Sequence, residues 1–182
     1  GGVGRIGLMD HDRVSLSNLH RQVLFDEIDV GKSKAAVAKE KLQKLNSEVE
    51  IEVYQEALTI DNAEILFQKY LINDACILTE KPWVYASIYK HEGQLSVFNY
   101  KNGPSYRCLF PKTTKQNVSC EATGVLGVTP GILGMLQATE VLKIILETGN
   151  VLSGKLKLIN ILSGTEQVMN IQQRPEEIEK IK

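Results

Sequence analysis

Cysteine and aromatic residues are scarce in this sequence of 182 residues, and neither sign of charge predominates. The three cysteines, Cys76, Cys108 and Cys120, are an odd number without regular spacing. The disulfide framework of a small secreted protein is therefore not expected, and a reducing cytoplasm fits better. The formal net charge is −1, with both signs spread along the chain. The sequence therefore has no basic cluster of the kind that binds nucleic acid or an anionic membrane surface.

Long apolar runs are also missing. No uninterrupted run reaches the roughly 18 residues that a membrane span needs, and no signal-peptide pattern opens the sequence. Hydrophobic residues make up 43% of the chain and charged residues 24%, which is ordinary for a globular protein. The length predicts one domain, 1–182, that can form a core without disulfide or metal staples.

The first half of the chain alternates strand and helix patterns. Alternating or short apolar runs predict strands, and apolar residues at three- and four-residue spacing predict helices. These patterns predict a strand at 5–9, a helix at 34–46, a strand at 49–54, a helix from an Asp61 cap to about Tyr70, and another helix at 71–79.

The second half is richer in strands, which are predicted at 83–89, 94–100, 155–162 and 166–171. An Asn102-Gly103 turn and a Ser163-Gly164 turn follow two of them, and 111–121 has the composition of a long loop. A mostly apolar helix with Thr129 as its cap, Pro130 first and Gly149 just beyond its end is expected at the centre of the core. The whole pattern predicts an α/β fold, a Rossmann-like doubly wound sheet with an antiparallel-rich C-terminal half.

Asp10 directly follows the first strand, where Rossmann-like sheets place an acid that binds ribose hydroxyls. A simple turn-forming Asp is an equal alternative. The glycines of Gly1–Gly4 have no strand before them, so they do not form the phosphate loop. If Asp10 is the ribose acid, the phosphate loop belongs upstream of residue 1.

Donors suited to phosphate oxygens follow in the segment Ser17–Gln22, which carries Asn18, Arg21 and Gln22. Lys34 opens the next helix, and a lysine at a positive helix end is a plausible anion ligand. Taken separately, each of these residues also fits a solvated helix surface.

Read as one string, LMDHDRVSLSNLHRQVLF…DVGKSKA closely resembles the MoeB/ThiF/HesA family, with its apolar strand, Asp-x-Asp-x-Val, Ser-Asn-Leu-x-Arg-Gln and Gly-x-x-Lys. The resemblance continues in order through EGQLSVFNY, YRCLFP, SCEATGVLG and GILGMLQATEVLKIIL, and so extends over nearly the whole chain.

The resemblance implies that Asp10 holds the ribose of ATP, while Asn18, Arg21, Gln22 and Lys34 contact the triphosphate with Mg²⁺. It further implies a homodimeric, cytoplasmic adenylyltransferase that activates the C-terminal glycine of a ubiquitin-like sulfur carrier. The carrier would be MoaD-like or ThiS-like, serving molybdopterin or thiamine biosynthesis, with a sulfurtransferase as a possible further partner.

The family's cysteine motifs are only partly present. Ser105 stands where the family commonly has the first cysteine of a Cys-x-x-Cys pair that ends at Cys108, and no second pair follows. Because zinc needs about four ligands, we expect no zinc in this chain. Cys120 matches a cysteine that accepts or relays the activated carrier in some members. It is either a catalytic thiolate or a residue without a role in turnover.

Two family segments are missing, the glycine loop before residue 1 and a strand with a Mg²⁺-binding Asp between Tyr70 and Leu71. They are natural deletions or residues that this sequence does not include, and we favour the second explanation. Two rival functions stay open. One is a non-catalytic member that docks a ubiquitin-like protein. The other is a nicotinamide-dependent dehydrogenase, which needs a complete glycine fingerprint.

Overall fold

The computed structural model describes residues 2–54, 65–111 and 124–182, with side chains in the second range from residue 69 onward. The chain divides into two compact units, Gly1–Asn62 and Ala63–Lys182. The predicted loop at 111–121 lies outside the described residues except for Pro111, and so does the Asp61 cap.

The first unit is a strand–helix–strand unit. Strands β1 (Arg5–Met9) and β2 (Glu50–Tyr54) pair in parallel, with Ile6 opposite Ile51, and α1 (Lys34–Leu45) connects them. Parallel strands need such a crossover, and α1 buries its Ala35, Val37 and Ala38. All three elements confirm the sequence prediction to within one residue at each end.

The second unit contains an antiparallel sheet in the order β3-β4-β5-β6. Its strands are β3 (Trp83–Tyr89), β4 (Glu92–Phe98), β5 (Lys155–Asn160) and β6 (Thr165–Asn170). The hairpin of β5 and β6 turns at Ser163-Gly164 as predicted, and Gly164 has a φ of 68°. The predicted Asn102-Gly103 turn is shifted by one residue, since Lys101 and Asn102 hold the positive φ angles and Gly103 closes the turn onto Tyr100. A short helix, α5 (Pro175–Glu179), follows the sheet.

Helix α2 (Ile65–Leu78) is continuous across Tyr70–Leu71, so the prediction of two separate helices is wrong. No Gly or Pro interrupts residues 65–78, and nothing in that stretch breaks the backbone hydrogen-bond ladder. Tyr70 of this helix joins Tyr85, Phe98 and Tyr106 in the aromatic core of the unit. Tyr106 belongs to a short helix, α3 (Tyr106–Leu109).

The long apolar helix α4 (Val128–Leu146) begins after Gly127, so Thr129 is not its cap. Thr129 lies inside the first turn, fully buried, and its hydroxyl has no hydrogen-bond partner among the described residues. At the other end Glu147 takes the left-handed conformation, with Gly149 two residues beyond.

The expected place of α4 at the centre of the core is also wrong. Among its side chains only Thr129, Leu133 and Glu140 are buried, while Met135 is 73% and Leu146 66% exposed. The helix packs on β3 and β4 along one side, and the described residues leave an apolar side of it uncovered. By length and composition alone α4 could cross a membrane, which is weak evidence because a core helix of a soluble protein passes the same test.

Candidate functional site

The site begins where β1 ends. Asp10 follows Met9, and its amide donates a hydrogen bond of 3.3 Å to the carbonyl of Tyr54 at the end of β2. The two parallel strands therefore end together, and Asp10 stands at their carboxyl edge. This is the edge at which open α/β sheets bind ligands.

A backbone clasp brings the start of α1 to the same edge. The amide of Val14 donates to the carbonyl of Lys32 at 2.9 Å, and the amide of Gly31 donates to the carbonyl of Val14 at 2.8 Å. Gly31 has a φ of 86°, a conformation that few other residues adopt at low cost. The amide of Lys34 then donates to the carbonyl of Asp12 at 3.0 Å. Lys34, 24 residues after Asp10 in the chain, is thereby hydrogen-bonded to Asp12, which lies two residues after Asp10.

Asp12 links Asp10 to Lys34. Its amide donates to Asp10 Oδ1 at 2.8 Å, and its own Oδ2 accepts from Lys34 Nζ at 2.8 Å. The Lys34 side chain is 9% exposed, whereas the Asp12 side chain is 54% exposed. The hydrogen bond from the Lys34 ammonium lowers the pKa of Asp12 below its ordinary value. A buried cation and two carboxylates thus form one connected group.

The segment that carries Asn18, Arg21 and Gln22 is a compact turn. The carbonyl of Asn18 accepts from the amides of Arg21 at 3.1 Å and Gln22 at 3.0 Å, and Arg21 Nη1 donates to the carbonyl of Ser17 at 2.9 Å. Gln22 Oε1 is buried, and no residue in the described part of the chain donates a hydrogen bond to it. Within the described ranges, no hydrogen bond or ion pair joins these three side chains to Asp10 or Lys34. The structure therefore links two of the five predicted ligands, Asp10 and Lys34, and it does so through Asp12.

His11 and Asp12 are members of this group that the sequence reasoning did not single out. The ligand atoms of Asp10, His11 and Asp12 lie within 4.8 Å of one another. The second Asp of the Asp-x-Asp motif was the available signal for Asp12. Its pairing with Lys34 bridges 22 residues, so no local pattern reveals it.

The cysteines lie apart from this group in the sequence. Cys108 is buried, and its Sγ accepts from the amides of Ser105 and Arg174, both at 3.4 Å. The thiol therefore serves as a hydrogen-bonding group between α3 and the C-terminal segment. Cys76 is half-buried near the end of α2, and burial raises the pKa of its thiol. Cys120 lies outside the described residues.

Comparison with known proteins gives the family of this chain. The family model described as the ThiF family matches residues 1–180. The chain is 47% identical to "Adenylyltransferase and sulfurtransferase MOCS3" of Danio rerio, over 79% of this chain and 35% of that protein. It is 45% identical to the "Sulfur carrier protein adenylyltransferase" of Thermus thermophilus, over 79% of this chain and 61% of that protein. The chain thus spans between about a third and three-fifths of these curated relatives.

Solved structures share the fold. The microcin C7 biosynthetic enzyme MccB, in complex with N-formylated MccA, superposes with a TM-score of 0.82 at 23% identity, over 96% of this chain and 59% of that one. E. coli MccB with ATP superposes with a TM-score of 0.78 at 24% identity, over 96% and 58%. The Rossmann-type α/β fold predicted from the sequence is confirmed. With a family model that matches almost every residue, this chain belongs to the ThiF family.

Proposed function

We propose that this protein uses ATP to adenylate the C-terminal glycine carboxylate of a ubiquitin-like sulfur carrier, MoaD-like or ThiS-like, and releases pyrophosphate. The observation that carries the proposal is the Asp10–Asp12–Lys34 group at the carboxyl edge of β1. It offers an acid for a ribose and a cation for phosphate in adjacent positions. The curated relatives from Danio rerio and Thermus thermophilus are both named adenylyltransferases, which supports the same reaction.

The chemistry requires an anion to approach a polyanion. A carboxylate oxygen of the carrier forms a bond to the α-phosphorus, and the bond from that phosphorus to the pyrophosphate oxygen breaks. Two like unit charges about 4 Å apart repel by about 4 kcal/mol at an effective dielectric constant near 20. Lys34 and Arg21 supply the positive charge that offsets this repulsion and stabilises the departing pyrophosphate. No side-chain base is needed, because the carrier carboxylate is already ionised near pH 7.

Mg²⁺ fits the donor set in part. Magnesium prefers oxygen ligands and usually binds through one or two carboxylates plus phosphate oxygens, whose charge it neutralises. Asp10 Oδ1 accepts the Asp12 amide, and among the described residues Asp10 Oδ2 takes no hydrogen bond. Asp12 Oδ2 is occupied by Lys34. Because Asp10 is proposed to hold the ribose, we propose that the oxygens around Mg²⁺ come mainly from the triphosphate of ATP.

Cys120 is proposed as the thiolate that takes the activated carrier in a second step. Its sulfur would attack the acyl carbon of the acyl-adenylate, forming a thioester and releasing AMP. This step follows adenylation, so Cys120→Ala is expected to leave pyrophosphate exchange intact.

A non-catalytic role in docking a ubiquitin-like partner is the second candidate. One observation favours it. Asp74 in α2 is the acid that follows the position of the missing Mg²⁺-binding segment in the sequence, and its carboxylate is already paired. Both of its carboxylate oxygens accept from Arg107, at 2.8 and 2.6 Å, in a bidentate pair. The carboxylate of Asp74 therefore binds Arg107 of α3 and does not replace the missing metal ligand.

The homodimer is likewise a proposal, and the uncovered side of α4 supports it. Val128, Ile132, Met135 and Ile145 are between 40% and 73% exposed in this chain. Met135→Glu is expected to shift the protein from dimer to monomer in sedimentation analysis. Leu78→Glu, at a residue 61% exposed near the end of α2, is the matched control and should leave the dimer intact. A wild-type monomer at micromolar concentration would contradict the proposal.

The test of the adenylation proposal is carrier-dependent exchange of labelled pyrophosphate into ATP, with MoaD-like and ThiS-like carriers assayed separately. Wild-type protein should exchange with one of them, which also identifies the pathway. Arg21→Ala should abolish exchange while its circular dichroism spectrum stays native. Carrier binding without any exchange by the wild type would instead support the docking role.

A further inference from the structure

We infer that Asp12 is a positioning residue of the nucleotide site, which holds the ammonium group of Lys34 beside Asp10. The inference rests on the proposed adenylation function and deepens it. The family motif assigned roles to Asp10 and Lys34, whereas it is Asp12 that makes the contacts to both.

Lys34 needs such a partner because it is buried. A charged ammonium removed from water is costly unless a counterion and hydrogen bonds compensate for the loss. Among the described residues, Asp12 is the carboxylate that pairs with Lys34, at 2.8 Å. An ammonium group has three donors, so this bond leaves two for the oxygens of a ligand. The half-exposed carboxylate thus fixes the cation from the solvent side without using all its donors.

Local folding does not explain the Asp12 carboxylate. The N-terminus of α1 is already capped by Ser33, whose Oγ accepts from the amide of Ala36 at 3.4 Å. The clasp that brings 31–34 to the β1 edge is made by backbone groups, which any residue at position 12 would supply. A carboxylate here also repels an incoming phosphate. Its contribution must therefore come from fixing the geometry of Lys34.

The test compares Asp12→Ala with Asp12→Asn in the exchange assay of the whole protein. Misplacing a group that stabilises the transition state lowers turnover more than ground-state binding, so Asp12→Ala should reduce kcat by about 10- to 100-fold. The KM for ATP should change by no more than about threefold, because most contacts to ATP are unaffected. Asn keeps an oxygen that accepts from Lys34, and Asp12→Asn should recover part of the lost kcat.

Glu40→Gln is the matched control. Glu40 lies on the same helix as Lys34, pairs with Lys44 at 2.7 Å and is largely exposed. The substitution removes one negative charge opposite a lysine and keeps an oxygen that can accept from it, as Asp12→Asn does. It should leave both kcat and KM unchanged.

The decisive comparison is a double-mutant cycle with Lys34→Ala, for which labelled pyrophosphate makes low residual rates measurable. If Asp12 acts through Lys34, adding Asp12→Ala to Lys34→Ala should cause no further loss. Fully additive losses, or a higher KM with unchanged kcat, would overturn the positioning role. Should Lys34→Ala fall below detection, the division of the Asp12→Ala effect between kcat and KM decides. Absence of exchange in the wild type would overturn the adenylation proposal instead, which separates the two failures.

Discussion

Gly93 in β4 lies against Leu133 of α4. A Cβ atom at this position would stand 2.4 Å from Leu133 Cδ2 and 2.9 Å from Leu133 Cγ. Leu133 is itself only 1% exposed, so it has little room to move aside. Overpacking of a core costs about 1–3 kcal/mol, and Gly93→Ala should lower the free energy of unfolding by that amount. For a chain of this size the melting temperature should fall by about 2–4 °C per kcal/mol.

Gly134→Ala is the control for this prediction. Gly134 is the neighbour of Leu133 on α4, and a Cβ atom there meets nothing within 4 Å. Replacing an interior helix glycine with alanine should stabilise the protein by up to about 1 kcal/mol. Thermal and urea denaturation of both variants measure the difference. Equal effects of the two substitutions would refute the close packing of α4 on β4.

A double variant gives a stricter test of the same contact. Leu133→Ala alone should cost about 2–5 kcal/mol, because it leaves a cavity beside Gly93. In Gly93→Ala/Leu133→Ala the added methyl group occupies part of that cavity. The combined loss should therefore be smaller than the sum of the single losses, by more than the roughly 0.5 kcal/mol error of additivity. A strictly additive pair would show that the two residues do not touch.

Three further predictions concern Asn73, Asp29 and Cys120. Asn73 is 1% exposed and its Oδ1 accepts from the Tyr106 amide at 2.8 Å, so Asn73→Ala should cost about 1–3 kcal/mol in urea denaturation. The hydrogen bond from Lys41 is the main cause that lowers the pKa of Asp29 to about 2. A carboxyl whose pKa is lower in the folded than in the unfolded protein stabilises the folded state when the pH is above its unfolded pKa, and this stabilisation is lost as the pH falls towards the folded pKa. The free energy of unfolding of the wild type should therefore decline between about pH 4 and pH 2, and Asp29→Asn should make that decline shallower. Cys120→Ala should retain carrier-dependent pyrophosphate exchange, and loss of exchange would place Cys120 in the first chemical step.

Local patterns predicted the strands and α1 well. Val49, Ile51 and Val53 alternate with glutamates, and this period-two pattern is realised in β2. The α1 pattern is equally local, since Ala35 and Ala38 recur on the face that packs against the strands. In both elements, residues that are close in the sequence determine which side is buried.

The errors concern features that depend on distant contacts. The composition of α4 does not distinguish a helix surrounded by its own chain from one that covers a sheet with one side and leaves the other uncovered. Thr129 has the chemistry of a cap, but the helix starts at Val128, two residues before the predicted first position, and the hydroxyl is buried. Asp12 escaped notice for the same reason, because its importance arises from a partner on another element.

The most direct measurement of the central claim is a crystal structure of the protein with a non-hydrolysable ATP analogue and Mg²⁺. The account predicts ribose hydroxyls within hydrogen-bond distance of Asp10, and phosphate oxygens contacting both Lys34 Nζ and the guanidinium of Arg21. A nucleotide bound elsewhere, or bound at Asp10 with Lys34 and Arg21 turned away from its phosphates, would contradict the account.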